Sequence, residues 1–212
     1  MKVVPSLKFM VREGFEEPFG KGGVFNPGVR FNSFPTSNYF SMKKVILIGT
    51  VGAFNPVCSK QHVPDYENNF SKLKELGIDE VYVTAVNDIQ VMNVWKEVLG
   101  LENIKVLADG NGMLARKLGM LTDKSHFGYG QRSRRYVMYV VNGVIEKIFE
   151  EDPMSGAPDP YEVTKVENVI SYLEELNKPE EPSEKPVEEM TQSEALDELS
   201  KMTQELEQKL ED

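Results

Sequence analysis

One cysteine is present in the chain of 212 residues: Cys58, in the run Asn55-Pro56-Val57-Cys58-Ser59. A thiol attacks an electrophile only as its thiolate. Thiolates are favoured where free backbone N–H groups and the positive end of a helix face the sulfur. Asn55 is a good helix N-cap, and Pro56 suits the first helical position because its missing N–H would be unpaired there anyway. Cys58 then falls at the third helical position, inside the first turn, which is an activated-thiol design. A free cysteine can equally be a small inert hydrophobe of the core, and the local pattern alone fits both readings. Gln61 occupies the position three past Cys58, so no Cys-x-x-Cys pair exists. Two histidines, His62 and His126, are too few to complete a zinc site around one thiol.

The elements that must position Cys58 follow from hydrophobic periodicity. Val45-Ile46-Leu47-Ile48-Gly49, directly upstream, is β-branched and uncharged and reads as a buried strand over 44–49. A further strand is expected over 7–11, and Gly14 to Ser41 as irregular structure over a sheet edge. Pro56 to Leu76 reads as a helix bent near Pro64, since proline removes a backbone donor and crowds the preceding turn. A strand over 80–86, a helix over 89–99 with Trp95, and a short strand over 104–107 come next. Asp109-Gly110-Asn111-Gly112 resembles the start of a calcium loop, but Met113 stands where the next oxygen ligand belongs, so it reads as a turn into a helix ending near Gly119. Strands over 135–141 and 144–149 form a hairpin across Asn142-Gly143, the strongest two-residue turn signal. A helix over 163–176 closes the domain. Strand-helix-strand units followed by a hairpin and a helix give an α/β, thioredoxin-like fold: a central mixed β-sheet flanked by helices.

Composition bounds the rest. With 40% hydrophobic and 27% charged residues this is one globular domain with an extension. Residues 177–212 hold twelve acidic and four basic side chains, which is −8 of the net −10. The expected division is a domain over 1–176, a Pro/Glu-rich linker over 177–192 and an acidic amphipathic helix or disordered tail over 193–212. Net acidity argues against a nucleic-acid partner, and no apolar stretch reaches the ~20 residues that span a bilayer. A lone cysteine and the lack of a secretory apolar core at the N-terminus fit a reducing, cytoplasmic compartment. Gly128-x-Gly130 precedes no helix and is a poor dinucleotide motif.

Gly52-Ala53-Phe54-Asn55-Pro56-Val57-Cys58-Ser59-x-x-His62-x-Pro64 resembles the active-site segment of type-5 peroxiredoxins. The likeness continues through Val86-Asn87-Asp88, Val91-Met92-Asn93-x-Trp95 and Asp109-Gly110-Asn111-Gly112. It then runs through Gly128-Tyr129-Gly130-Gln131-Arg132-Ser133-x-Arg135-Tyr136 and Asn142 to Lys147. Matches keep the family's order from about Lys44 to Leu176.

The resemblance implies that Cys58 is the peroxidatic cysteine and Arg135 its guanidinium partner; otherwise Arg135 is a surface arginine of a basic hairpin. Pro56 and Val51 would shape the site. Arg132 would support the site or a dimer contact, and His62 would pack near the Pro64 bend or help attract peroxide. Two positions depart from the family's Pro-x-x-x-Thr-x-x-Cys pattern, with Val51 for proline and Asn55 for threonine. Asn55 can keep the N-cap and donate through its amide. The activity implied is a thiol peroxidase acting on hydrogen peroxide and organic hydroperoxides, with no metal or organic cofactor. An external thiol, glutathione with glutaredoxin or thioredoxin, would reduce the oxidised cysteine, and the family implies a homodimer packed near the site. The other reading is a catalytically weak redox sensor or scaffold that uses the acidic tail.

Overall fold

In the computed structural model the structure describes residues 2–13, 30–152 and 159–178. The expected linker and acidic tail lie outside these, apart from the first residues after Leu176. Six strands form the central sheet: β1 (Lys2–Val3), β4 (Lys44–Gly49), β5 (Glu80–Ala85), β6 (Lys105–Ala108), β9 (Tyr136–Val141) and β10 (Val144–Glu150). Their order is β1-β10-β9-β4-β5-β6. β4, β5 and β6 run parallel, and β9 pairs antiparallel with both β4 and β10. This is the mixed, thioredoxin-like sheet expected.

Both faces of β4 are buried, which is why its sequence reads as an unbroken apolar run. Alternation sends Ile46 and Ile48 to a core with Tyr66, Leu73, Trp95, Val137 and Leu173. Val45 and Leu47 point the other way, to Phe9, Phe40, Leu107, Leu114 and Met138. Helices α2 (Val63–Asn68), α3 (Phe70–Glu75), α4 (Ile89–Val98) and α6 (Val166–Leu176) cover the first face. α5 (Met113–Leu118) and the short α1 (Ser37–Phe40) cover the second. Among the described residues, no helix is long and apolar enough to cross a membrane.

Several expectations are corrected. Part of the segment over 14–41 is regular: β3 (Arg30–Pro35) pairs antiparallel with β2 (Lys8–Glu13), and α1 follows. The Thr36 side chain fastens this hairpin, accepting from Leu7 N at 2.8 Å. A two-stranded ribbon of β7 (Leu121–Asp123) and β8 (Gln131–Ser133) carries the Gly128-Tyr129-Gly130 loop at its tip. The 56–76 helix is not uniform: residues 58–62 form a π-helical turn, and Asn69 separates α2 from α3. Val63 N–H donates to Cys58 O, five residues back, and Pro64 has no N–H to restore the ordinary pattern at the next step. Helix α6 starts at Val166 rather than Val163 because Glu151 holds residues 162–164 outside it; Glu151 Oε1 accepts from Glu162 N, Thr164 N and Thr164 Oγ1 at 2.7–2.9 Å. Asp109 is a turn and a cap: its carboxylate accepts from Leu114 N and Ala115 N.

Candidate active site

β4 delivers the chain to the site through a loop anchored on the end of β5. Thr50 N–H and Oγ1 both donate to Thr84 O, and Ala53 N–H donates to Asn87 Oδ1 at 3.0 Å. Phe54 takes a positive φ of 63°, an uncommon conformation for an aromatic residue. The helix starts as its sequence dictates. Asn55 O accepts from Ser59 N, and Asn55 Oδ1 accepts from Val57 N at 3.1 Å and Cys58 N at 3.3 Å. Ser59 Oγ accepts from the indole N–H of buried Trp95 at 2.9 Å, tying this first turn to α4.

Cys58 is fully buried, and its sulfur lies 3.5 Å from Arg135 Nη1. The arginine reaches it because β9 pairs with β4 in a register that sets Tyr136 opposite Gly49. A Cβ at position 49 would run into the Tyr136 ring, so glycine lets Tyr136 open β9 here, with Arg135 as the residue just before it. Arg135 is itself only 3% exposed. Its Nη1 also donates to His62 Nδ1 at 2.9 Å, its Nη2 to Asp159 Oδ1 at 2.5 Å and its Nε to Pro160 O at 3.0 Å. The Tyr161 ring lies 5.8 Å from the guanidinium carbon, and Tyr161 OH donates to Asp65 Oδ2 at 2.7 Å.

Burial pushes the Cys58 thiol up; the Arg135 cation and the N–H groups of Gly52 and Val51 pull against it, while Asp159 adds to the rise. Burial also works against the Arg135 charge, but Cys58 and Asp159 outweigh it and keep the cation firmly protonated. Burial first, then the neighbouring Arg135, holds His62 well below the ordinary imidazole range. Since arginine only donates, His62 is neutral with its proton on Nε2.

The structure thus brings Cys58, Asn55, Arg135 and His62 together. Pro56 occupies the first helical position beside them. Val51 and Asn55 line two adjoining cavities of about 120 Å³ and 170 Å³, with Tyr129 common to both. Lys124, Phe127 and Asp159 complete the first; Phe54, Pro56 and Arg132 are among the walls of the second. Arg132 stands apart from the sulfur, with Nη1 donating to Val86 O at 2.6 Å. The basic run Arg132-Ser133-Arg134-Arg135 is therefore divided in use, because Arg134 pairs instead with Glu150 at 2.8 Å. Sequence reasoning missed Asp159, Pro160 and Tyr161. An Asp-Pro pair signals a turn, and nothing local reveals a guanidinium 24 residues upstream.

A lone thiol in the first helical turn after a central strand of a thioredoxin-like sheet, facing a buried arginine, defines a thiol-dependent oxidoreductase that works without a dithiol. The redoxin family profile matches residues 24–170. A peroxiredoxin of Rhizobium etli is 41% identical over 174 residues, 81% of this chain and 94% of the relative. Among solved structures, the Plasmodium falciparum antioxidant protein, a 1-Cys peroxiredoxin, superposes with a TM-score of 0.71 at 32% identity over 82% of this chain and 98% of that one. Reduced Prx3 of Vibrio vulnificus in complex with hydrogen peroxide gives 0.68 at 31% identity, over 84% and 97%. The chain belongs to the peroxiredoxin family, in its type-5-like, single-cysteine form. It is a thiol peroxidase and needs no prosthetic group for that chemistry.

Proposed function

We propose that Cys58 is the nucleophile that reduces hydrogen peroxide and organic hydroperoxides, that Arg135 is its catalytic partner, and that an external thiol completes the cycle. The observation that carries this is the buried 3.5 Å contact between Cys58 Sγ and Arg135 Nη1. The thiolate attacks one peroxide oxygen, an S–O bond forms and the O–O bond breaks. The departing oxygen takes a proton and leaves as water or an alcohol, while Cys58 is oxidised to a sulfenic acid. Arg135 holds the thiolate and offers N–H donors to oxygens on which negative charge develops. The peroxide complex of the Vibrio relative supports hydrogen peroxide as a substrate here.

Asn55 caps the helix through Oδ1, which leaves its NH2 as the end able to donate to a peroxide in the adjoining cavities. Threonine's hydroxyl both donates and accepts, so Asn55 narrows the hydrogen bonding on offer. Val51 and Pro56 wall the approach, His62 sets Arg135 in place, and Arg132 supports the loop carrying Val86. With no second cysteine in the chain, an external thiolate attacks the sulfenic sulfur and releases water. A second thiol then resolves the mixed disulfide. Glutathione with glutaredoxin, or thioredoxin, is the reductant we infer. The half-exposed aromatics Phe54, Phe127 and Tyr129 beside the site support a homodimer contact there. The lone free cysteine supports a cytoplasmic location, with the acidic segment over 177–212 as an extension of the catalytic domain.

The test is one equivalent of hydrogen peroxide followed by intact mass. A sulfenic-acid adduct on Cys58 within seconds, abolished by Cys58→Ser, is the expected result; a thiol no faster than free cysteine would exclude the reading. Turnover with each reductant system then identifies the thiol donor, and sedimentation fixes the oligomeric state.

A further inference from the structure

Arg135 is gripped on three sides, and one grip is chemically unlike the others. His62 Nδ1 and Pro160 O are neutral acceptors, whereas Asp159 is a carboxylate at 2.5 Å from Nη2, with a side chain only 20% exposed. A neutral acceptor orients a guanidinium without touching its charge. A carboxylate orients it and also offsets the positive field that the guanidinium projects elsewhere. Nη1 and Nη2 are the two arms of one rigid plane, so fixing Nη2 on Asp159 fixes where Nη1 points, and it points at Cys58 Sγ.

We propose that Asp159 is a positioning residue of the peroxidatic site: it holds Arg135 in its attack geometry while weakening the cationic pull on Cys58. The proposal rests on Cys58 and Arg135 being the reacting pair. The charged and titratable groups around the sulfur are few. Arg135 faces it from the residue just before β9, neutral His62 lies on its own helix, and Asp159 comes from the segment before α6. Tyr161 and Asp65, hydrogen-bonded to one another, form the next layer, and Lys124 shares a cavity wall with Asp159. Asp159 also acts on the sulfur directly, since its charge opposes a second negative charge forming nearby and adds to the rise of the Cys58 thiol.

Two variants separate the roles. Asp159→Asn keeps an oxygen acceptor for Nη2 but removes the charge; Asp159→Ala removes both. The readouts are the pH profile of Cys58 alkylation by iodoacetamide and the second-order rate with hydrogen peroxide. For Asp159→Asn the alkylation profile moves to lower pH, because the thiolate forms more readily. For Asp159→Ala the peroxide rate falls roughly tenfold or more as Arg135 loses its aim, and on an Arg135→Gln background the alanine change costs nothing further. An asparagine profile that stays in place or moves to higher pH overturns the proposal. So does an alanine variant as fast as the parent, or one that loses as much activity without Arg135 as with it. If the alanine chain does not fold, the asparagine profile decides alone. The alkylation profile needs no peroxide, so a failure of Cys58 to form sulfenic acid shows up separately, as a failure of the peroxidase reading.

Discussion

The two ends of β9 are built by opposite rules. At its C-terminal end the strand turns over Asn142-Gly143, with φ of 48° and 79°, and Asn142 Oδ1 accepts from Met42 N at 2.8 Å. The turn conformation itself is set by two adjacent residues, at the surface. The N-terminal end buries a full cation in Arg135 and gathers its partners from two distant stretches of chain, 58–62 and 159–161. It also leaves the Tyr136 hydroxyl and His62 Nε2 without partners among the described residues, at a cost in stability. The contrast teaches where free energy serves the fold and where it serves the reaction. The turn end gives up little beyond two non-glycine residues at positive φ, Met42 and Asn142; the Arg135 end accepts desolvation and orphaned polar atoms to keep one guanidinium against one sulfur.

Breaking the costly end should have the largest effect. Arg135→Gln is expected to slow the peroxide reaction by about 10²–10³, the loss typical of removing a preorganised charge-stabilising donor. With its cation gone the Cys58 thiol titrates higher still, so the alkylation profile moves to higher pH; a competition assay and the alkylation series check each part. Gly49→Ala comes next. It should cost about 1–3 kcal/mol in urea unfolding, with a loss of peroxide reactivity as well, because the displaced Tyr136 carries Arg135 with it. At the other end, Asn142→Ala should cost only about 1–2 kcal/mol, from a positive φ without its usual residue and a lost hydrogen bond, and leave the peroxide rate unchanged.

His62 sharpens the same comparison through pH. Its folded-state value lies below the ordinary 6.5, so the unfolded chain binds a proton that the folded chain refuses. Stability is therefore complete above about 6.5 and falls as pH drops below it. Protonation would also set an imidazolium against the Arg135 guanidinium. Thermal melts between pH 7.5 and 5 should show this slope, and His62→Gln should flatten it. Smallest of all, Lys165→Ala removes an exposed pair with Glu162 and should change stability by less than about 0.5 kcal/mol.

How much was legible beforehand follows the same division. Asn55-Pro56-Val57-Cys58 and Asn142-Gly143 carry their instructions within a few residues, and both form as read. The strands of the central sheet were equally plain, because burial on both faces writes unbroken apolar runs. Asp159, Pro160 and Tyr161 were not legible: their meaning comes from Arg135 and Asp65, far away in sequence. The π-helical turn was hidden for a related reason, since Pro64 announces a lost donor but not how the backbone absorbs it. β3 escaped because the apolar residues of Arg30–Pro35, Phe31 and Phe34, keep no two-residue alternation to set it apart from the Gly- and Pro-rich stretch around it.

That π-helical turn has a consequence for the phase of the whole helix. An α-helix advances about 100° per residue, so a stripe that starts inward at Cys58 and His62 should continue through positions 65, 69 and 72. Instead the inward positions are Val63, Tyr66, Phe70 and Leu73, one residue later. The extra residue in the turn acts as a rotary offset between two azimuths of a single rod. At its first residue the rod presents a thiol to the arginine; downstream of the turn it presents a hydrophobic stripe to the sheet. Deleting one residue from Ser59 to Gln61 would collapse the two azimuths into one, and the rod could then satisfy either the sulfur's setting or the core's, but not both.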